Sequence, residues 1–361
     1  MYAKVEHIKF DSSKRILVIS DIHGNLDCFK RLLDKIEFSD DDELIVLGDF
    51  MEKGPKILET IRYLMYLSKR NNVHVVTGNC DEIWEFVRTN TYDDFFKRYI
   101  LKRRDSTFKE MCAELGIDLT DKIDIGWLKI QLEAQYKVIF DFLKELPTII
   151  ETERFTFVHA GIQYGPLESQ NKEFCVSTSD FLNSGLLFDK YVVVGHFPTS
   201  QYRLKKMCCN PIIDKNSKII SIDGGNQVKE FGQLNALIIP NMNADDFEYD
   251  YCDDAPLAFV QNSQLESENS INIIWGDDQV QPQEVMDDFT YCYHSSSGRE
   301  LWIPIESIFE KKGKFFCSNA TDYYLGVEVG DVVSVIQAYS DRYLAKKNGT
   351  VGWIKGKPFL F

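Results

Sequence analysis

The sequence of 361 residues has no long apolar segment, no paired-cysteine motif and no excess of basic residues. No apolar run approaches the roughly 20 residues that a membrane-spanning helix needs, and residues 1–15 lack the apolar core of a signal peptide. The 9 cysteines form no C-x-x-C pair, which favours a reducing, cytoplasmic compartment. The net charge of −15 argues against nucleic acids and anionic membranes as partners. We therefore expect a cytoplasmic globular protein.

Several apolar runs in the first 200 residues end in a polar residue that can bind a metal. These polar residues are Asp21, His23, Asp49, Asn79, His159 and His196. Helical spacing of apolar residues between the first three runs predicts the order βαβαβ, and hence an α/β fold with parallel strands. Because the carboxyl ends of parallel strands meet at one edge of a sheet, we expect these side chains to lie together. The alternative is that they only cap strand ends and turns.

The six residues offer carboxylate, amide and imidazole ligands and no sulfur. Such a set suits Mn, Fe or Zn better than Ca. Asp49 is a candidate bridge between two ions, and two ions about 3.5–4 Å apart can activate water for attack on a phosphoryl group. No side chain has the pattern of a covalent nucleophile with a matched base, so water is the expected nucleophile.

Five motifs in order resemble those of the calcineurin-like metallophosphoesterases, and among them the phosphoprotein-phosphatase branch with its diadenosine-tetraphosphatase-like members. The motifs are Ser20-Asp-Ile-His-Gly24, Gly48-Asp-Phe-Met-Glu-Lys-Gly54, Gly78-Asn-Cys-Asp-Glu82, Val158-His-Ala-Gly161 and Gly195-His196. The resemblance covers roughly residues 16–240. It implies a four-layer αββα sandwich and two divalent metal ions, with Mn expected first and Fe or Zn as alternatives.

The resemblance also implies which residues bind each ion. One metal would take Asp21, His23 and Asp49, and the other would take Asp49, Asn79, His159 and His196. The catalytic residues expected from the motifs are Asp49, Asn79, Cys80, Asp81, Glu52 and Lys53.

Four positions depart from the family pattern. Glu52-Lys53 stands where the family has Asp-Arg, Thr77 replaces an arginine, and Cys80 replaces the histidine that protonates the leaving group. Lys53 keeps the positive charge but loses the bidentate fork that an arginine offers to phosphate. A thiol beside two cations could become a thiolate and would then be no acid. Alternatively, Cys80 only fills space, and Glu52 with Lys53 forms a solvated pair.

These observations predict dimetal-dependent hydrolysis of a phosphoester by a metal-bridging hydroxide. The first expectation is a serine/threonine-phosphatase-like phosphomonoesterase. One alternative is a dinucleoside-polyphosphate hydrolase or phosphodiesterase that favours good leaving groups, since these need less protonation. An alternative of another class is a catalytically impaired metal-binding scaffold that acts through a small C-terminal β-barrel. The expected substrate is a phosphorylated protein or a nucleotide.

The pattern also predicts a division of the chain. We expect a catalytic domain over residues 1–255 with a helical insertion at 83–147, an acidic linker at 256–288, and a small β-barrel at 289–361. Residues 329–335 and 348–354 resemble SH3-like modules, which implies a peptide or protein partner for the barrel. The basic run Lys102-Arg103-Arg104 is typical of a solvated face, or it steers an anionic substrate.

Overall fold

The computed structural model describes residues 1–103 and 105–361. Arg104, which belongs to the predicted basic run and insertion, lies outside the described residues. The chain divides into two compact units, the first comprising Met1–Phe197 with Pro211–Asp253 and the second Pro198–Asn210 with Asp254–Phe361. Within the described residues, no helix is both long and apolar enough to cross a membrane.

The helices and strands up to residue 253 include an alternating stretch over residues 16–75, as an α/β pattern predicts. In chain order they are β1 (Val5–His7), β2 (Ile16–Ile19), α1 (Leu26–Lys35), β3 (Glu43–Val46), α2 (Ile57–Leu67), β4 (Val73–Val75), α3 (Trp84–Arg88), α4 (Asp93–Lys102), α5 (Thr107–Glu114), α6 (Ile125–Glu145), β5 (Ile149–Glu151), β6 (Phe155–Val158), α7 (Lys172–Ser177), β7 (Tyr191–Val194), β8 (Met207–Cys208), β9 (Ile212–Asp214), β10 (Ile219–Ser221), β11 (Leu234–Ile239) and β12 (Glu248–Cys252).

The first unit contains two sheets that face each other. One has the strand order β12-β11-β2-β3-β4 and the other β1-β5-β6-β7-β10-β9. Strand β3 pairs in parallel with both β2 and β4, so the predicted βαβαβ order is present. Side chains alternate across each strand: Ile16 and Val18 join the cluster between the sheets with Phe157 and Val193, while Leu17 and Ile19 face the helices.

Helices cover the outer faces of both sheets. Residues of α1 to α6 share one apolar cluster with β2, β3 and β4, and Cys175 of α7 packs with Val192 and Val194 of β7 on the other sheet. Asn25 is the N-cap of α1, because its side chain accepts a hydrogen bond from the backbone N–H of Cys28. The predicted insertion contains α3 to α6, which therefore pack against the sheet that carries the first three motifs.

The second unit is built from strands throughout. They are β13 (Leu257–Phe259), β14 (Asn272–Ile273), β15 (Gln279–Met286), β16 (Phe289–His294), β17 (Arg299–Pro304), β18 (Ile308–Lys311), β19 (Lys314–Cys317), β20 (Ala320–Thr321), β21 (Val332–Ala338), β22 (Arg342–Lys347), β23 (Thr350–Lys355) and β24 (Phe359–Leu360). One sheet has the order β17-β16-β15-β19-β18 and another the order β24-β13-β21-β22-β23-β8.

The expected SH3-like barrel is not confirmed by this arrangement. The strands expected over residues 289–361 are present, but they belong to separate sheets with separate apolar clusters. Residues 256–288, expected as a linker, contribute β13, β14 and β15. The burial of these segments alternates as in strands with one buried face, since buried Ala258 lies between two exposed residues and buried Val280 lies next to an exposed one.

Candidate metal centre

Tight turns at the strand ends hold the residues of the centre. Non-glycine residues there adopt a left-handed backbone, with φ between 46° and 70°, at Asp21, His23, Asp49, Glu52, Lys53 and His196. Such a conformation costs about 1–3 kcal/mol per residue and clusters where function requires it. The turns follow β2, β3 and β7, so they bring side chains from two sheets to one edge.

Glycines allow the strand ends to approach one another. A Cβ atom at Gly78 would overlap the Asp49 carboxylate, and one at Gly195 would overlap the Ser20 hydroxyl and the Asp21 carboxylate. The two carboxylates are therefore clamped between neighbouring backbones.

The imidazole of His23 is oriented by the backbone. Its Nδ1 lies 3.1 Å from the carbonyl oxygen of Met51, to which it donates, so Nε2 carries the lone pair of the ring. That Nε2 lies 3.7 Å from Asp21 Oδ1 and 3.8 Å from Asp49 Oδ2. Burial, reinforced by the Lys53 ammonium, lowers the pKa of His23 to about 3. His23 is thus a neutral ligand at neutral pH.

His159 is held in the same way from the other sheet. Its Nδ1 donates to the carbonyl oxygen of Leu47 at 2.6 Å, and its Nε2 lies 3.4 Å from Asp49 Oδ1. The ring of His196 lies beside it, with the ring centroids 5.1 Å apart. Burial, together with the charge of His159, lowers the pKa of His196 to about 4. A nitrogen atom of each ring therefore lies within 4.8 Å of an Asp49 carboxylate oxygen.

The two buried carboxylates respond to each other. Burial and the neighbouring Asp49 charge raise the pKa of Asp21 to about 7. Burial favours the protonated form of Asp49 as well. The neighbouring His159, His23 and Lys53 outweigh this effect, and together they lower the pKa of Asp49. Asp21 Oδ2 also accepts a hydrogen bond from the backbone N–H of His196 at 3.0 Å. A cation would stabilise this pair of buried negative charges.

The donor set fits divalent metal ions. His23, Asp49 and Cys80 form one group of ligand atoms that all lie within 4.8 Å of one another, and Asp49, His159 and His196 form a second. Asp49 belongs to both groups, as a bridging ligand must. Nitrogen and oxygen donors with at most one sulfur suit Mn, Fe or Zn.

Asn79 and Lys53 lie beside these groups. The side-chain amide of Asn79 lies 3.3 Å from His159 Nε2 and 2.9 Å from His196 Nδ1, and its nitrogen donates to both rings when it is turned toward them. With its oxygen turned toward them instead, the same amide would join the imidazole nitrogens as a metal ligand. On the other side Lys53 Nζ lies 3.1 Å from His23 Nε2, so a positive charge already faces that imidazole.

Asp81 holds the loops that carry the ligands. Its Oδ2 accepts hydrogen bonds from the backbone N–H groups of Asp49 at 2.7 Å and Gly78 at 2.8 Å, and its Oδ1 accepts from Met51 at 3.3 Å. Burial and the Asp49 charge raise the pKa of Asp81, against these three donors, which lower it. Asp81 is therefore placed to position Asp49.

Cys80 lies in the short helical turn Asn79–Asp81 that follows β4. Its backbone N–H donates to Asp49 Oδ1 at 2.8 Å, and its side chain is half-buried. Burial and the Asp49 carboxylate raise the pKa of the Cys80 thiol well above its ordinary value. With only the protein's own groups around it, Cys80 is therefore a neutral thiol. Its sulfur is close enough to His23 and Asp49 to be a further metal ligand.

The side chains of Glu52 and Lys53 point in different directions. Lys53 faces the ligands, whereas the buried Glu52 side chain turns to the insertion. Glu52 Oε1 accepts a hydrogen bond from the backbone N–H of Thr107 at 3.0 Å, and Oε2 lies 3.4 Å from Arg103 Nε. The expected solvated pair is therefore absent, and Glu52 is placed to anchor the insertion.

The sequence interpretation missed several supporting residues. The Ser20 hydroxyl donates to Asp21 Oδ2, and Asn226 Nδ2 donates to the carbonyl oxygen of Ile22 at 2.8 Å. Burial and the charge of Asp21 raise the pKa of Asp223 well above its ordinary value. The polar residues of the Asp223–Asn226 turn, just after an apolar strand, were the available signal.

The fold and the centre define an α/β protein with a candidate dinuclear metal site at the strand ends of two facing sheets. The chain belongs to the calcineurin-like phosphoesterase family, whose sequence model matches residues 14–233. This family uses a dinuclear divalent metal centre. The match spans the six predicted ligands.

Curated relatives align with only part of the chain. A symmetrical bis(5'-nucleosyl)-tetraphosphatase of Buchnera aphidicola subsp. Acyrthosiphon pisum (strain Tuc7) is 36% identical over 149 residues, which is 40% of this chain and 43% of the relative. The uncharacterised metallophosphoesterase-like protein YydB of Bacillus subtilis (strain 168) is 29% identical over 227 residues, 58% of this chain and 41% of the relative. The chain thus spans less than half the length of each.

Among solved structures, a protein serine/threonine phosphatase from Saccharomyces cerevisiae is similar at 11% identity and a TM-score of 0.43. The similarity covers 73% of this chain and 86% of that one. Family membership and the curated relatives support a hydrolase that acts on phosphoester bonds.

Proposed function

We propose that this chain hydrolyses a phosphoester bond with the help of two divalent metal ions. The observation that carries the proposal is that Asp49 belongs to both groups of converging ligand atoms. The proposed ligands are those expected from the sequence, namely Asp21, His23, Asp49, Asn79, His159 and His196. Manganese is the first metal to test, with iron and zinc next.

Two such ions, when bound, clamp phosphoryl oxygens and lower the pKa of water. The chain's own residues supply the rest. Met51 and Leu47 fix the tautomers of His23 and His159, Asp81 fixes the backbone of Asp49, and Lys53 supplies a point charge for a phosphate oxygen. In this arrangement the four-layer αββα sandwich serves to hold five loops at one edge.

We further propose that the preferred substrates have good leaving groups. A general acid works best with a pKa near the working pH, and the raised pKa of the Cys80 thiol makes it a weak acid at the place where the family has histidine. Aryl oxygens, nucleotides and phosphoanhydrides need little protonation. The relative named as a tetraphosphatase supports this second candidate. A serine/threonine-phosphatase-like activity stays a prediction.

The test is hydrolysis, with and without Mn²⁺, of an aryl phosphomonoester, an aryl phosphodiester and bis(5'-adenosyl) tetraphosphate. The Asp49→Asn variant should lose activity on all three, and Asp118→Asn, at an exposed aspartate of the same unit, should keep it. Metal-loaded protein that hydrolyses none of them would favour the scaffold alternative. The catalytic boundaries 1–255, the cytoplasmic location and a peptide partner for residues 289–361 also stay predictions.

A further inference from the structure

A cavity of about 350 Å³ opens beside Asn79 and Cys80 in the first unit. Its other walls come from the insertion, chiefly from α3 and α4. This volume lies at the lower end of the range for small-molecule sites, roughly 300–1,000 Å³. A group attached to a phosphate at the metal centre could therefore extend into it.

The walls are aromatic, and part of them is exposed. Phe86 lines the cavity with Tyr92, Phe95 and Tyr99, and its ring centroid lies 5.9, 5.6 and 5.6 Å from theirs. Tyr92 is 43% exposed and Phe95 is 47% exposed. Exposed rings at the rim of a cavity offer faces on which a second planar ring can stack.

Arg103 places a positive charge in the same wall. Its Nη1 donates to the Tyr99 hydroxyl at 2.8 Å, its guanidinium lies 4.9 Å from the centre of the Tyr99 ring, and its Nε faces the buried Glu52 carboxylate. The side chain nevertheless remains 34% exposed. A held guanidinium with a free face can bind a phosphate oxygen or stack on a planar ring.

We propose that this cavity is the subsite for the leaving group and binds a planar aromatic ring of that group, which is attached to the scissile phosphate directly through oxygen or through a nucleotide chain. The ring stacks on Tyr92 and Phe95, and Arg103 supplies positive charge to the phosphate, which Lys53 provides only as a point charge. Glu52 acts as a positioning residue that holds Arg103. This inference rests on the proposed phosphoesterase function, and its ligand could be a nucleoside or a phenyl group.

The first experiment compares kcat/KM on aromatic and alkyl substrates. Aromatic substrates are 4-nitrophenyl phosphate and bis(5'-adenosyl) tetraphosphate, and the alkyl substrate is phosphoserine. In Tyr92→Ala and Phe95→Ala the ratio of aromatic to alkyl kcat/KM should fall about tenfold, the size expected when one stacking face is lost. Tyr66→Ala, at a tyrosine of α2 that is 66% exposed, should leave the ratio unchanged. An equal fall on both kinds of substrate, or none, would overturn the subsite.

The two aromatic substrates identify the source of the ring. A tenfold fall on the tetraphosphate with a smaller one on 4-nitrophenyl phosphate assigns a nucleoside, and the reverse assigns a phenyl group. Arg103→Gln should lower kcat/KM for substrates with either ring, and Arg103→Lys should restore only part of that loss. A Lys variant as active as the wild type would refute the role of the planar guanidinium.

A binding measurement separates this inference from the proposed function. Calorimetric titration of the wild type with adenosine and with phenylphosphonate, which has no ester bond to hydrolyse, should give an affinity that Phe95→Ala weakens about tenfold. Binding that depends on Phe95 in a protein with no hydrolysis would refute the phosphoesterase and keep the ring subsite. Hydrolysis with no dependence of binding on Phe95 would refute the subsite and keep the phosphoesterase.

Discussion

Replacing Asp81 should reveal how strongly the loops of the centre depend on one buried carboxylate. The Asp81 side chain accepts two backbone hydrogen bonds shorter than 3 Å, from Asp49 and Gly78, and a longer one from Met51. A buried donor left unpaired costs about 1–3 kcal/mol. Because Asp81→Ala leaves the two N–H groups of the short bonds unpaired, it should lower the free energy of unfolding by about 2–6 kcal/mol, from a total of about 5–15 kcal/mol for typical domains.

Asp81→Asn should cost less, because its single side-chain oxygen can still serve both short bonds. Only the bond to Met51 at 3.3 Å and the charge are then lost, for about 1–3 kcal/mol. Urea denaturation followed by circular dichroism gives both values, with Asp118→Ala and Asp118→Asn as controls at an exposed position. A loss below about 1 kcal/mol for Asp81→Ala would refute the positioning role.

Three further predictions address the leaving group, the backbone clamp and pH. Cys80→His should raise activity on phosphoserine more than on aryl phosphates, by up to about 100-fold if the imidazole becomes a general acid; equal gains on both would contradict the weak-acid argument. Gly195→Ala should weaken Mn²⁺ binding measured by calorimetry, because its Cβ overlaps Ser20 and Asp21; unchanged binding would show that the clamp is not needed. In chelator-treated protein, the stability of the wild type relative to Asp21→Asn should fall as the pH rises from 3.8 to about 7, because folded Asp21 holds a proton that the unfolded chain releases. A difference that rises across this range would reverse the sign and contradict the raised pKa of Asp21.

The sequence was most informative where short-range patterns decide the structure. Buried apolar runs followed by Asp21, Asp49 and Asn79 predict parallel strands that end at one edge, and β2, β3 and β4 pair in parallel. No single apolar run shows that the two sheets lie close enough to share a site. Their approach follows from the fold, because His159 and His196 come after strands of the facing sheet.

Long-range pairing was out of reach of these patterns. Glu52 and Lys53 are neighbours in the chain, yet left-handed turns send one to Thr107 and the other to His23. Arg103 reaches Glu52 from just past the end of α4, and the basic run to which it belongs does not show that contact. Likewise β8, at Met207–Cys208, pairs with β23, some 140 residues further along the chain, so the sheets of the second unit could not be deduced from local alternation.

The most direct test of whether two metal ions share Asp49 is the number of metal ions bound per chain. Elemental analysis after loading with Mn²⁺ and removal of free metal should give two ions for the wild type, one for His23→Gln and one for His159→Gln. Asp49→Asn should bind fewer ions than His23→Gln or His159→Gln, because it loses the ligand that both groups share. One ion or none in the wild type, or two ions retained in Asp49→Asn, would contradict the account.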